Sequence, residues 1–258
     1  MQFRAVDVLA LAFAAGLSGI FLLTSFPGLL AAPGHTLIAL AITIAFAFIA
    51  WQSRGVNLSG ALAGAAIAFI LAAREIRMFC LLLAVFLITL AATRLGTRRK
   101  QQLRIAERAD GRSASQVMAN LGVAGLIVAL APANWIVLAL AALAEAAADT
   151  SSSEIGLAFS SKTFLITTWK PVAPGVDGGI SLYGTIAALA AAVIVALTAT
   201  FSGLVPANQA AAIVYAGFLG SLLDSVLGAL LERRGYLNND LVNLLSTGAA
   251  TGIAWVLL

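Results

Sequence analysis

Apolar residues run almost without interruption along this chain. Nine stretches carry few or no charges: 5–24, 36–52, 57–73, 77–94, 115–131, 133–149, 180–201, 209–231 and 240–258. A helix needs roughly 20 apolar residues to cross the hydrocarbon core, and fewer when its ends sit in protein. The pattern predicts an all-α, polytopic membrane bundle of about nine candidate transmembrane helices, built as one integral membrane domain over residues 1–258. Pro132 divides the pair at 115–131 and 133–149, which reads as two short spans or as a partly re-entrant pair. Small residues recur, as in Gly60-Ala61-Leu62-Ala63-Gly64, and favour close helix contact. The first stretch has the position of a signal sequence. No small-residue cleavage site precedes a soluble chain, so it reads as a retained span.

Composition agrees with this picture: 61% of residues are hydrophobic and 10% charged, against about 25% charged in soluble domains. The lone Cys80 excludes an internal disulfide and a cysteine metal site, and reads as a core or lipid-facing residue. The one histidine, His35, reads as a solvated residue of the loop Pro33-Gly34-His35-Thr36.

Charge then orients the chain. With the N-terminus in the cytoplasm, the inside holds Arg4, Arg54, Arg94, Arg98, Arg99, Lys100, Arg104, Arg108, Arg112, Lys162, Lys170, Arg233 and Arg234. Only Arg74 and Arg77 fall outside, so thirteen of fifteen Lys and Arg residues obey the positive-inside rule. A basic loop at 95–114 and a Gly-rich loop at 150–180 then face the cytoplasm, while loops at 25–35 and 202–208 face away and carry no Lys or Arg. This predicts a protein of a prokaryotic inner membrane whose site opens to the cytoplasm. The basic cluster at 94–112 acts as a topology signal that touches anionic lipid headgroups, or it steers an anionic substrate. Nucleic acid is not the expected partner, because aromatic interleaving and a folded reading module are missing.

Four polar segments interrupt the apolar background. The first is Ala148-Asp149-Thr150-Ser151-Ser152-Ser153-Glu154-Ile155-Gly156. Asp149 and Ser153 are one helical turn apart on one face, and Glu154 follows. Hard oxygen ligands near a helix end suit Mg²⁺ held together with substrate phosphates; a polar cap is the plainer alternative. Glu145, one turn before Asp149, is a lesser candidate for the same cavity. The second segment is the loop from Lys170 to Thr185, with Gly175, Asp177, Gly178, Gly179, Ser181 and Gly184. Glycines permit a tight path whose N–H groups can cradle phosphate, beside a helix start. Lys162 and Lys170 can neutralise charge there. The loop is not a Walker A sequence, and an ordinary connection between spans is the alternative.

The third segment is Gly220-Ser221-Leu222-Leu223-Asp224-Ser225-Val226-Leu227-Gly228. Asp224 lies within an apolar helix, where a carboxylate costs roughly 2.5–3.5 kcal/mol at the centre by insertion scales. A polar contact between helices is its structural alternative. The fourth is Gly111-Arg112-Ser113-Ala114-Ser115-Gln116-Val117-Met118-Ala119-Asn120, in which Gln116 and Asn120 lie one turn apart. Their amides bond a phosphate or join helices. Near the C-terminus Asn238-Asn239-Asp240 reads as a helix cap, and Asn243 as a weak site candidate.

Taken in this order, the four segments resemble the DUF92 (TMEM19) family, which includes phytyl-phosphate kinases. The carrying strings are Gly111-Arg112…Gln116-Val117…Asn120, Asp149-Thr150…Ser153-Glu154-Ile155-Gly156, Pro174-Gly175…Asp177-Gly178-Gly179…Ser181…Gly184-Thr185, and Gly220-Ser221…Asp224-Ser225…Gly228-Ala229. The chain departs from the family pattern at Ser151, Val176 and Glu232. The resemblance implies a prenyl-phosphate kinase. Such an enzyme carries a phosphoryl group from a nucleoside triphosphate, CTP being plausible, to phytyl, farnesyl or geranylgeranyl phosphate. On that footing Asp149, Glu154 and Asp224 are the expected catalytic and Mg²⁺-binding residues. Arg112, Gln116, Asn120, Ser153, Lys170, Gly175, Asp177, Gly178, Gly179, Ser181 and Ser225 are expected to bind substrate and nucleotide phosphates. The expected partners are an isoprenoid lipid phosphate and membrane lipids. Two other readings use the same residues: an ion-coupled transporter built on Asp149 and Asp224, and a cytidylyltransferase acting on a lipid phosphate.

Overall fold

The computed structural model describes residues 4–102 and 111–258. Arg104 and Arg108 of the basic cluster lie outside those residues. The described chain forms α1 (Ala5–Ala31), α2 (Pro33–Gln52), α3 (Leu58–Arg74), α4 (Arg77–Arg94), α5 (Thr97–Gln102), α6 (Ala114–Leu130) and α7 (Trp135–Phe159). Three short strands follow, β1 (Thr163–Leu165), β2 (Pro171–Val172) and β3 (Gly179–Ile180). Helices α8 (Leu182–Phe201), α9 (Ala207–Leu227) and α10 (Asn239–Leu257) complete the chain, with one π-helical turn, Gly228–Glu232, after α9. Seven of the helices are long and apolar enough to cross a membrane. Helices α3 and α6, at 17 residues each, are shorter, about 26 Å at the usual rise.

Helix α7 is the axis of the fold. Every residue from Val137 to Ala148 is buried, as expected of a helix that is apolar all round. Helices α4, α6, α8, α9 and α10 pack against it. Its alanines let neighbours approach closely: a Cβ added at Gly217 of α9 would lie 2.7 Å from the Ala144 Cβ, and one at Gly184 of α8 would lie 2.6 Å from the Ser152 carbonyl oxygen. Helices α1, α2 and α8 instead present exposed apolar side chains such as Leu9, Leu23, Ile44 and Phe201 outward. Helices that satisfy their own backbone can tolerate lipid on such faces.

The helix boundaries depart from the sequence reading in three places. The stretch 25–35 is helical apart from Ala32, because Pro33 starts α2 at a position that needs no N–H donor. His35 is therefore a helical residue and no loop residue; its Nε2 lies 3.1 Å from the Ala73 carbonyl oxygen. Helix α7 continues ten residues past Asp149, to Phe159. The Ser153 hydroxyl is compatible with helix because it has a partner inside it, its Oγ donating to the Asp149 carbonyl at 2.9 Å, while the buried Ser151 Oγ has none. The segment 150–180 is thus helix up to Phe159. It then forms a three-stranded antiparallel sheet in the order β2-β1-β3, with Thr163 opposite Val172 and Phe164 opposite Ile180.

Connections gather at two ends of the bundle. At one end Arg74 reaches the Ser25 hydroxyl at 3.2 Å and lies over the Trp135 ring, and Arg77 reaches the Gly203 carbonyl at 3.0 Å. At the other, Arg94 donates to the Ser53 carbonyl at 2.7 Å and Arg99 to the Ala158 carbonyl at 3.2 Å. Helices α3 and α6 start side by side at this second end, where Asn57 donates its N–H to the Arg112 carbonyl at 2.9 Å. Glu75, at the first end, accepts a two-pronged hydrogen bond from Arg77, which holds its carboxyl below the ordinary value.

Candidate functional site

Carboxyl groups from two helices meet in the interior, near the second end. Asp149 on α7 and Asp224 on α9 lie within hydrogen-bonding reach of each other. The Asp224 Oδ2 accepts from the Ser246 hydroxyl of α10 at 3.0 Å. Glu145, one turn before Asp149, is 1% exposed and acts electrostatically on both aspartates. Its side chain fits because α9 has no side chain at Gly220: a Cβ there would lie 2.7 Å from the Glu145 Cγ. The Glu145 Oε1 has no hydrogen-bond partner, and neither does the buried Asn243 Oδ1 on α10. Buried like charges are costly unless a proton or a cation joins them. Arg112 is the described cation that acts on Asp149.

Glu154 does not join this group. Residues five apart on a helix point about 140° away from one another, and Glu154 is ion-paired with Lys100. The expected set of Asp149, Glu154 and Asp224 is therefore not assembled. Among the described residues no three His, Cys, Asp or Glu side chains are grouped to hold a metal ion. Ser153 also turns elsewhere, its hydroxyl bonded within its own helix.

The Gly-rich loop reaches the same end of the bundle. Gly178, at φ +75°, lies against the turn that follows α9, where an added Cβ would sit 2.4 Å from the Ala229 Cβ. Only glycine allows both that conformation and that approach. Asp177 is therefore close to Glu232 of the same turn, on which it acts electrostatically, and the turn starts four residues after Asp224. Ser181 caps α8, accepting from the Gly184 N–H at 3.2 Å and from the Ser160 hydroxyl at 2.8 Å. Gly179 pairs with Leu165 in the sheet, and Gly175 supplies a left-handed turn at φ +85°. Lys170 is exposed beyond the β1–β2 hairpin. The Ser225 hydroxyl lies 3.4 Å from the Ser221 carbonyl.

The remaining expected residues border a cavity of about 340 Å³ between α2, α3, α4 and α6. Arg112, Gln116 and Asn120 line it together with Arg54, Arg94 and Lys100. The Gln116 Oε1 accepts from the Ser113 N–H at 3.0 Å, closing a capping box, and the Asn120 amide donates to the Gln116 carbonyl at 2.9 Å. Lys100 is 2% exposed, and its Nζ donates to the Ala92 and Thr93 carbonyls, each at 3.0 Å, and to Glu154. Ala146, one turn before Asp149 on the same face of α7, forms part of the cavity wall.

The candidate residues thus divide between a carboxyl cluster, where Asp149 meets Asp224, and a basic cavity that α7 borders at Ala146. Ser246 carried no signal that set it apart in the sequence, while Lys100 was marked only as one of the basic cluster at 94–112 and Glu145 by its spacing from Asp149.

Comparison with known proteins agrees with this architecture. The family described as "Integral membrane protein DUF92" matches residues 41–251. An uncharacterized membrane protein of Methanocaldococcus jannaschii is 33% identical over 87% of this chain and 96% of its own. Protein PGR of Arabidopsis thaliana is 32% identical over 77% of this chain and 79% of its own. The chloroplastic protein VTE6 of the same plant is 31% identical over 68% of this chain and 57% of its own. No solved structure matches.

Proposed function

The chain belongs to the DUF92 family of integral membrane proteins, and from that premise we propose that it is a membrane phosphotransferase. It carries the γ-phosphoryl group of a nucleoside triphosphate, CTP being plausible, to an isoprenyl monophosphate and forms the diphosphate. The observation that supports this reading is the meeting of Asp149 and Asp224 from two helices, with the Gly178 loop on the turn after Asp224. Mg²⁺ commonly binds through one or two carboxylates plus substrate phosphates. Asp149 and Asp224, with the Ser246 hydroxyl beside them, would supply those one or two carboxylates, the remaining ligands coming from the phosphates. The ion would neutralise charge on the phosphates when bound.

The protein's own share of the chemistry is positioning and electrostatics. The Gly-rich loop ending at Gly178 holds donor phosphates, although the Gly179 N–H is itself given to the Val176 carbonyl at 2.9 Å, and Arg112, which borders the basic cavity and acts on Asp149, attracts the acceptor phosphate. An oxygen of that phosphate attacks the γ-phosphorus. The bond from phosphorus to the β–γ bridging oxygen breaks, and nucleoside diphosphate leaves with the electron pair. The acceptor is ionised near neutral pH, so no strong general base is required. The test is a product assay on purified protein with Mg²⁺, each of four nucleoside triphosphates and farnesyl or phytyl monophosphate, read by mass spectrometry. Lipid diphosphate and nucleoside diphosphate are expected. Pyrophosphate release would identify a cytidylyltransferase instead.

The burial of Glu145 with an unpartnered oxygen favours a second reading, an ion-coupled carrier. Cation-driven uptake into proteoliposomes, without any nucleotide turnover, would select it.

A further inference from the structure

The cavity between α2, α3, α4 and α6 changes character along its length. At the second end it is bordered by Arg54, Arg94, Lys100 and Arg112. There the Thr93 Oγ1 also lies in the wall, buried and without a hydrogen-bond partner. Towards mid-bundle the wall becomes Phe46, Leu82, Val85, Phe86 and Leu121. Leu82 and Arg94, both lining it, stand twelve residues apart on α4, about 18 Å along the axis. The inner part is held in shape by aromatic edges: Phe46 meets Phe86 at 5.1 Å and Phe79 at 5.4 Å between ring centroids.

Two glycines set the width of this slot. Gly55 gives room to Phe86, since a Cβ there would lie 2.8 Å from the ring. Gly64 lines the cavity from α3, and an added Cβ would meet nothing nearer than the Val117 Cγ1 at 3.9 Å. A side chain at position 64 therefore grows into the cavity.

We propose that this cavity is the acceptor slot of the reaction above, and that Gly64 sets the length of isoprenoid tail it admits. The proposal rests on the phosphotransferase reading for the identity of the ligand, a single-chain lipid monophosphate. The phosphate lies between Arg94 and Arg112, beside Lys100, whose three donors are taken by the Ala92 and Thr93 carbonyls and Glu154, and the tail passes Gly64 towards Phe46. Asp149 is one turn from the cavity wall at Ala146, which brings that phosphate towards the carboxyl pair.

Gly64→Leu tests the slot. Leucine is a better helix former than glycine, so the variant is expected to melt no lower than the parent. Binding of farnesyl monophosphate, farnesol, dimethylallyl monophosphate and inorganic phosphate is measured on purified protein without nucleotide or metal. The parent is expected to bind farnesyl monophosphate about tenfold or more tighter than farnesol, with inorganic phosphate a poor competitor. Gly64→Leu is expected to weaken farnesyl monophosphate about tenfold or more, a methylene in an apolar pocket being worth at least that. It should leave the five-carbon dimethylallyl monophosphate within about twofold. Arg112→Gln should remove most of the preference for phosphate over alcohol. Equal loss of both chain lengths, no loss, or equal competition by inorganic phosphate would overturn the proposal. If the expected binding is found while no nucleoside triphosphate is turned over, the slot stands and the kinase reading fails.

Discussion

A carboxyl group 1% exposed beside two more, as Glu145 is beside Asp149 and Asp224, is not an economical way to hold three helices together. Effective penalties for burying an ion reach several kcal/mol after relaxation, and like charges add to them. Proteins retain such groups where function uses them, at the expense of stability. Asp149→Asn and Asp224→Asn keep the shape and remove the charge. Each is expected to melt no lower than the parent in detergent and to lower phosphotransfer by about 100-fold or more. Turnover within about twofold of the parent in either variant would remove these aspartates from the mechanism. Glu145→Gln separates a working carboxylate from a buried spacer: a folded variant with a raised Mg²⁺ requirement marks the first, and unchanged Mg²⁺ dependence the second.

Most of this was legible in the sequence residue by residue, but not the grouping. Asp149 and Asp224 stood out because carboxylates in apolar runs are rare, and they do meet. Glu154 stood out for the same reason, yet the helix turns it towards Lys100. That outcome depends on where α7 ends. A run of hydroxyls reads as a helix end when its partners are unseen, and here the Ser153 hydroxyl finds its partner in the same helix. Ser246 could not be found, because a lone serine in a helix gains meaning only from what faces it.

At the level of elements, α7 serves both the carboxyl cluster and the basic cavity, and glycines on its neighbours determine how near they come. A Cβ at Gly220 would lie 2.7 Å from the Glu145 Cγ and 2.9 Å from the Ala250 Cβ. Gly220→Ala is therefore expected to force α9 away from α7 and α10, lowering stability by about 1–3 kcal/mol and reducing turnover more than the Gly64→Leu variant does with a short acceptor. Thermal melts and rates on dimethylallyl monophosphate check this order. The turn between α3 and α4 is tied differently. Arg77 bridges the Glu75 carboxylate and the Gly203 carbonyl, and it lowers the Glu75 pKa from its ordinary 4.5. A lowered folded-state value adds stability above the unfolded value and loses it as pH falls through the folded one. The stability gap between the parent and Glu75→Gln should thus be present at neutral pH, small for so exposed a pair, and close as pH drops below 4.5. A gap that widens in acid would contradict it.

For the molecule as a whole, the division into two ends matters more than the number of spans. One end joins Ser25, Arg74, Arg77, Trp135 and Gly203. The other joins Ser53, Asn57, Arg94, Arg99, Arg112 and Ser160. The carboxyl pair and the basic cavity lie towards the second end, which also holds most of the described basic residues, and we propose from the positive-inside rule that this end faces the cytoplasm, where nucleotide is available. The orientation can be read directly. Cys80 is the one cysteine in the chain and is exposed, so Cys80→Ala provides a background free of thiols. Single cysteines at Gly203, in the α8–α9 turn, and at Lys170, by the hairpin, then report on opposite ends. A membrane-impermeant maleimide applied to intact cells should label the Gly203→Cys protein and spare the Lys170→Cys protein until the membrane is opened. The reverse pattern would put the carboxyl pair on the outer side. It would deprive it of nucleoside triphosphate and leave the ion-coupled carrier as the reading of Asp149, Asp224 and Glu145.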